Sequence, residues 1–264
     1  MRRNSRDELY RRVLERYIAM ATEAGVPQAV YPEGGLTRDG RMREPKLGVI
    51  DYMLRGFRIN GERDLVFVPL GLNYDRVLED RSLLTGKGAT GRAKSLWITL
   101  RFVAHNAWLM VNSEWRRFGY ACVNFGTPIS MREYCRARGI DFQVLSGDER
   151  RAAMAALGRE LMEAVGRIVP VLPVPLMASV FVALPQRALS ALELKTEVGR
   201  LLTRLEAAGA HVYIPRGDLD YALTVGLRML TLRRLVQEQD GLFRAREAEL
   251  PLLAYYANSI THLL

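Results

Sequence analysis

Between residues 28 and 72 the spacing of apolar residues changes period repeatedly, and this alternation is the strongest constraint on the fold. Gln28 to Tyr31 is a short run carrying Val30 and Tyr31, which reads as a strand feeding a glycine-rich loop that ends near Pro45. Leu47 to Leu54 has helical spacing and is stopped by Gly56 and Gly61, and Leu65 to Leu72 is an apolar run of strand length. Strand, loop, helix and strand in that order predict an α/β architecture, a mixed sheet covered by helices. With 49% hydrophobic residues in 264, the chain carries ample core for one large domain, and general disorder is excluded.

The flanking segments extend this pattern. Ser5 and Glu8 form a capping box for a helix marked by Tyr10, Val13, Leu14, Tyr17, Ile18 and Ala21, which Gly25 ends. A polar loop, Thr85 to Gly91, precedes an amphipathic helix at Ser95 to Val111, where Arg101, His105 and Asn106 interrupt the apolar residues. Tyr120 to Phe125 is a strand candidate, followed by a turn at Gly126 to Pro128 and a helix cap at Ser130. Beyond Asp148 the spacing is mainly helical, over Arg151 to Ile168, Ser190 to Ala208 and Leu219 to Gln239, with strand-like pieces at Ser179 to Leu184 and His211 to Ile214. The longest uncharged run, Val169 to Leu184, contains Pro170, Pro173 and Pro175 and falls short of the ~20 residues of a membrane-spanning helix. It reads as buried strand or turn. The prolines suggest a boundary between a sheet-bearing part, 1–169, and a mainly helical C-terminal region, 170–264.

The formal net charge of +9 favours partners that carry phosphate: a small substrate, a lipid headgroup or a nucleic acid. Only Lys46, Lys87, Lys94 and Lys195 are lysines; the other basic residues are arginines, suited both to bidentate phosphate contact and to helix surfaces. Gly86, Lys87 and Gly88 lack the spacing of a nucleotide-binding loop. No aromatic and basic interleaving marks a strand face, so no specific nucleic-acid partner is expected. Cys122 and Cys135 have no metal-ligand spacing and suggest a reducing compartment; no metal and no cofactor is expected. No secretory signal follows Met1.

The most informative stretch runs Tyr31-Pro32-Glu33-Gly34-Gly35-Leu36-Thr37-Arg38-Asp39-Gly40. Adjacent glycines let backbone N–H groups converge into a nest for an anion, Arg38 and Arg41 offer charge-assisted hydrogen bonds, and Glu33 can orient an arginine or meet a hydroxyl. An ordinary strand-to-helix connector with solvated charges accounts for the same residues.

The stretch resembles the Phe-x-Glu-Gly-x-Arg-Ser-Arg-x-Gly block of the glycerol-3-phosphate acyltransferase family. Tyr31, Glu33, Gly34, Gly35, Arg38 and Gly40 match or nearly match, and Thr37 stands in place of serine. Met1-Arg2-Arg3 is similar to the end of the family's preceding block, which closes on an arginine pair. Val66-Phe67-Val68-Pro69, followed by Tyr74, resembles a later strand block, and Val123-Asn124-Phe125-Gly126-Thr127-Pro128-Ile129 resembles a Val-Asn-Phe-Gly-Glu-Pro-Ile segment. Tyr255 to Leu263 is similar to a helix-opening segment of the larger members. The resemblance implies an acyltransferase-type α/β fold, with the acyltransferase domain over 1–169. It further implies acyl-CoA or acyl carrier protein as donor, the sn-1 hydroxyl of glycerol-3-phosphate as acceptor, and peripheral work at the cytoplasmic face of the cell membrane. Arg2, Arg3, Glu33, Gly34, Gly35 and Arg38 become the acceptor-binding residues. Leu36 departs from the pattern, standing where the family has the first arginine of its Arg-Ser-Arg run.

The family's reaction takes the hydroxyl proton with a histidine oriented by an aspartate five positions later. Five residues after His105 and His211 stand Met110 and Arg216, and the chain ends two residues after His262. In the family that box precedes the arginine pair. The resemblance therefore implies an N-terminal truncation before the box, no catalytic residue within this chain, weak or no turnover, and an exposed apolar face where the absent part would pack. A phosphate- or lipid-precursor-binding module without catalysis is the alternative.

Overall fold

The computed structural model describes residues 7–85 and 119–264. Helices and small sheets are mixed along it, as the α/β expectation has it. In chain order the elements are α1 (Glu8–Glu23), α2 (Gly48–Arg55), β1 (Val66–Phe67), β2 (Leu70–Tyr74), α3 (Asp80–Thr85), β3 (Ala121–Phe125), β4 (Ile129–Ser130), α4 (Met131–Arg138), α5 (Gly147–Arg167), α6 (Pro173–Ala183), β5 (Leu189–Ser190), α7 (Ala191–Ala207), α8 (Leu219–Leu232), β6 (Val236–Gln239), β7 (Leu242–Ala245) and α9 (Leu250–Asn258). They form two compact units. Among the described residues the first holds 7–35, 43–70 and 125–168, and the second holds 36–42, 71–85, 119–124 and 169–264.

In the first unit Ile50 and Leu54 of α2, Met131, Tyr134 and Cys135 of α4, and Leu157 and Leu161 of α5 share one core with Phe57 and Phe142. Apolar residues three and four apart on each helix supply this face. The helix ends are closed by distant side chains. Gln143 Nε2 donates to the carbonyls of Leu54 at 2.8 Å and Phe57 at 2.7 Å, satisfying groups that the end of α2 leaves open. Ser130 Oγ accepts the Glu133 N–H at 3.1 Å, so the expected cap is in place, and Asp64 accepts from both Ser130 Oγ and the Arg132 N–H. At α1 the capping side chain among the described residues is Asp7, which accepts the Tyr10 N–H at 3.2 Å; Ser5 lies outside them. β1 pairs antiparallel with β4, Val66 opposite Ser130 and Phe67 opposite Ile129. The sequence blocks at 66–69 and 123–129 thus meet through Phe67 and Ile129.

The second unit is built round α6. Val174, Leu176, Met177, Ala178, Val180 and Phe181 are all buried, and α7, α8 and α9 pack on it. A helix buried on every side has no polar stripe, so its sequence shows no helical period. The expectation of a strand or turn over Val169 to Leu184, and of a strand-like piece at Ser179 to Leu184, is therefore corrected to helix. Pro173 and Pro175 are compatible with it because they sit in the first turn, where the missing N–H groups have no intrahelical acceptor.

Three further expectations change. Gln28 to Tyr31 forms no strand, although Val30 packs on the first core. The helical reading of Leu219 to Gln239 ends at Leu232, and β6 and β7 follow as a hairpin joined at Asp240-Gly241, both at positive φ. Such an Asp-Gly turn matches strand twist and was a signal available in the sequence. At His211 to Ile214 there is a single parallel bridge, Val171 to Val212, rather than a strand. The amphipathic helix expected at Ser95 to Val111 lies outside the described residues.

β2 pairs with β3, and both strands turn apolar side chains outward: Leu72, Tyr74 and Val123 are exposed, while Asn73 is buried. Deeper in the same unit, Tyr256 of α9 donates its hydroxyl to Asp80 and accepts from the Val77 N–H at 3.1 Å and from Arg233 at 2.9 Å. Arg233 also meets Asp80, whose side chain is 5% exposed. Burial pushes the Tyr256 phenol above its ordinary range, so it remains a donor. Tyr256→Phe leaves Asp80, Arg233 and the Val77 N–H each short of a partner. It should lower unfolding free energy by about 2–3 kcal/mol, measured by urea denaturation.

Candidate functional site

Residues of the predicted phosphate loop fall in both units, and each part has its own anchor. In the first unit the Gly34 N–H donates to the Tyr31 carbonyl at 2.9 Å, closing a tight turn with Gly34 at φ 68°. The Lys46 N–H donates to the Pro32 carbonyl at 2.7 Å, and Glu33 Oε1 accepts the Arg43 N–H at 3.4 Å. A side chain on Gly34 would collide with Lys46, its Cβ lying 2.5 Å from Cδ and 3.2 Å from Nζ. Gly35 faces open space.

In the second unit Thr37 Oγ1 donates to Asp39 Oδ1 at 2.9 Å and accepts the Gly40 N–H at 3.1 Å, while the same Asp39 oxygen accepts the Arg41 N–H at 3.1 Å. Asn258 of α9 donates to the Asp39 carbonyl at 2.8 Å. Gly40 is buried at φ 83°, and a Cβ there would stand 1.9 Å from the Tyr255 carbonyl oxygen. Arg38 is therefore presented from a turn seated on α9. Two sequence blocks far apart in the chain, Gly40 and Tyr255 to Asn258, meet here. Arg38 is exposed and makes no ion pair among the described residues. Gly40→Ala imposes both a clash and a left-handed alanine and should cost about 3 kcal/mol or more, read as a fall in the thermal unfolding midpoint.

Of the other sequence-predicted residues, Arg2 and Arg3 lie outside the described residues, as does His105. His211 and His262 are exposed. Among the described residues no group of three metal-ligating side chains is present.

A feature absent from the sequence reading is Asp75, which is fully buried. Its Oδ1 accepts the Val174 N–H at 2.8 Å and its Oδ2 the Tyr120 N–H at 3.0 Å. The first turn of α6 is thereby completed: Pro173 and Pro175 have no N–H, Leu176 bonds to the Leu172 carbonyl, and Val174 is served by Asp75. Asn73, on the same inward side of β2, donates to the Pro170 carbonyl at 2.9 Å and to Ser259 Oγ at 3.2 Å. A strand with apolar outward and polar inward residues inverts the usual pattern, so spacing alone pointed the other way.

Burial pushes the Asp75 carboxyl up to about 6, against the lowering effect of its two N–H bonds. The protonated acid is then favoured in the fold relative to the unfolded chain. The group's contribution to stability is complete below about pH 4 and is lost as pH rises through about 6, a change of about 3 kcal/mol. Urea denaturation across this range should show that slope in the parent chain and a flatter profile in Asp75→Asn.

A family model described as the glycerol-3-phosphate acyltransferase C-terminal region matches residues 107–264. The chain belongs to this family. Its similarity to relatives reaches beyond the matched region. Proteins named glycerol-3-phosphate acyltransferase are 29% identical over 97% of this chain in Pseudomonas savastanoi pv. phaseolicola (strain 1448A / Race 6), and 30% over 97% in Pseudomonas putida (strain W619). In Pseudomonas aeruginosa (strain LESB58) the identity is 29% over 100% of the chain, so the glycine-rich loop is included. The chain spans about a third of the length of these relatives, 31% of the first two and 32% of the third. Within this acyltransferase family, the residues that meet in the structure are those of the strand blocks, Pro69 with Gly126 through a 2.9 Å hydrogen bond, and those of the loop with α9.

Proposed function

We propose that this chain forms the acceptor-holding part of an acyltransferase of glycerophospholipid synthesis, one that passes a fatty acyl group to the sn-1 hydroxyl of glycerol-3-phosphate from acyl-CoA or acyl carrier protein. The observation that carries this reading is Arg38, an exposed guanidinium without an ion pair among the described residues, presented from a turn that Gly40, Asp39 and Asn258 seat on α9. A guanidinium so placed offers a planar pair of donors to a phosphate monoester. In the reaction, the acceptor hydroxyl attacks the thioester carbonyl, an ester forms, and the thiol leaves with the proton. This chain's residues hold and orient the phosphate end. The proposal assigns proton removal to a histidine outside these 264 residues, since no histidine here precedes an aspartate by five positions.

The proposal keeps the acyltransferase-type fold and places the chain peripherally at the cytoplasmic membrane face. Among the described residues no helix is long and apolar enough to cross a membrane. Its test is a pair of measurements. Titration calorimetry with glycerol-3-phosphate should show binding that Arg38→Ala weakens about 10- to 100-fold, the scale of a hydrogen bond to a charged group. Acyl transfer from labelled acyl-CoA should be weak in this chain alone and restored when an upstream segment carrying a His-x-x-x-x-Asp box is supplied. Binding without transfer in both forms favours the non-catalytic binding module; unchanged affinity in Arg38→Ala moves the phosphate elsewhere.

A further inference from the structure

We propose that Lys46 is a phosphate-gripping residue of the first unit, its ammonium laid over the Gly34 turn to take a phosphate monoester dianion. The inference rests on the glycerol-3-phosphate reading above and adds a residue that the loop motif does not contain. Three observations carry it. The Lys46 backbone is tied to the turn by its N–H bond to Pro32, 2.7 Å long, so the side chain starts beside the glycines. Its stem then runs across Gly34, where any Cβ would fall 2.5 Å from Cδ and 3.2 Å from Nζ. Gly34 thus has a second reason to be glycine besides its φ of 68°: the missing side chain is the space that Lys46 occupies. Beside it Gly35 has nothing within 4 Å of where a side chain would project, which leaves room for a ligand.

The charge pattern points the same way. Two lysines stand among the described residues. Lys195 is paired with Asp220 at 2.6 Å, whereas Lys46 meets no carboxylate among the described residues. The neighbouring Glu33 is turned to the Arg43 backbone N–H. An ammonium is a compact charge with three donors, and against a dianion it forms hydrogen bonds roughly twice as strong as neutral ones. A lysine serving only as packing over Gly34 needs its stem and not its charge, and this separates the two roles.

The experiment uses the full chain and the variants Lys46→Met, Lys46→Arg and Arg38→Ala, titrated calorimetrically with glycerol-3-phosphate, inorganic phosphate and glycerol. Thermal unfolding is recorded for each. Methionine keeps an unbranched stem over Gly34 and removes the charge. The expected result is binding of both phosphate-bearing ligands by the parent chain, none of glycerol, and about 10- to 100-fold weaker binding in Lys46→Met. The unfolding midpoint should be unchanged, and Lys46→Arg should recover most of the affinity. Parent-like affinity in Lys46→Met overturns the inference while loss in Arg38→Ala leaves the acceptor reading standing. Loss in Lys46→Met for inorganic phosphate, with no binding of glycerol-3-phosphate by the parent, keeps Lys46 as an anion residue and removes the acceptor reading. No binding of either phosphate by the parent chain overturns both.

Discussion

The burial of α6 from Pro173 to Phe181 is the constraint on which the second unit depends. A helix wrapped by α7, α8 and α9 keeps its first turn away from water, and the N–H groups of residues 173–176 there need partners or must be absent. Two are absent because residues 173 and 175 are prolines, one is satisfied by Leu172, and the last requires an acceptor from elsewhere. Asp75 is that acceptor, and its second oxygen holds the Tyr120 N–H where β3 begins. The inward side of β2 therefore has to be polar, and Asn73 extends the same logic to Pro170. With those positions given to polar groups, Leu72 and Tyr74 turn outward. The inverted strand is a consequence of the buried helix.

The same unit supplies the seat of Arg38. Gly40 lies against the backbone of α9 at a distance that no other residue tolerates, and Asn258 holds the preceding carbonyl. α9 is itself fixed through Tyr256, which joins Asp80, Val77 and Arg233. The cation of the turn is thus placed by backbone contacts and by a buried polar cluster, while its guanidinium stays in water. In the first unit a different device serves the other end of the loop: a left-handed glycine closes the turn, and Lys46 crosses the space that glycine leaves. Both devices depend on a missing Cβ.

Much of this was legible in advance wherever a helix or strand has one wet face. α1, α2, α5 and α7 show apolar residues at helical spacing, and Ser130 marks the start of α4 as a cap. The strand expected over Tyr120 to Phe125 is β3, whereas the single run expected over Leu65 to Leu72 is divided into β1 and β2 at Val68-Pro69, and the two stretches are neighbours. α6 failed that reading because uniform burial erases periodicity, and its prolines pointed toward a break. The hairpin of β6 and β7 was missed for a different reason: Asp240-Gly241 was visible, but the apolar spacing before it was continued past the end of α8. Tyr31 is largely exposed and the run from Gln28 forms no strand.

By itself the sequence determined the family, the mixed α/β content, the loop with its glycines and Arg38, and most of the amphipathic helices, because each is written in neighbouring residues. Only the tertiary structure decided that Asp75 completes the first turn of α6, that Asp39 and Gly40 rest on α9, and that Lys46 lies over Gly34. The physical reason is the same in all three. A buried N–H accepts whichever carboxylate the fold brings to it, and a bare Cα admits whichever chain crosses it, so these partners are set by proximity in space, and no local period or spacing records them.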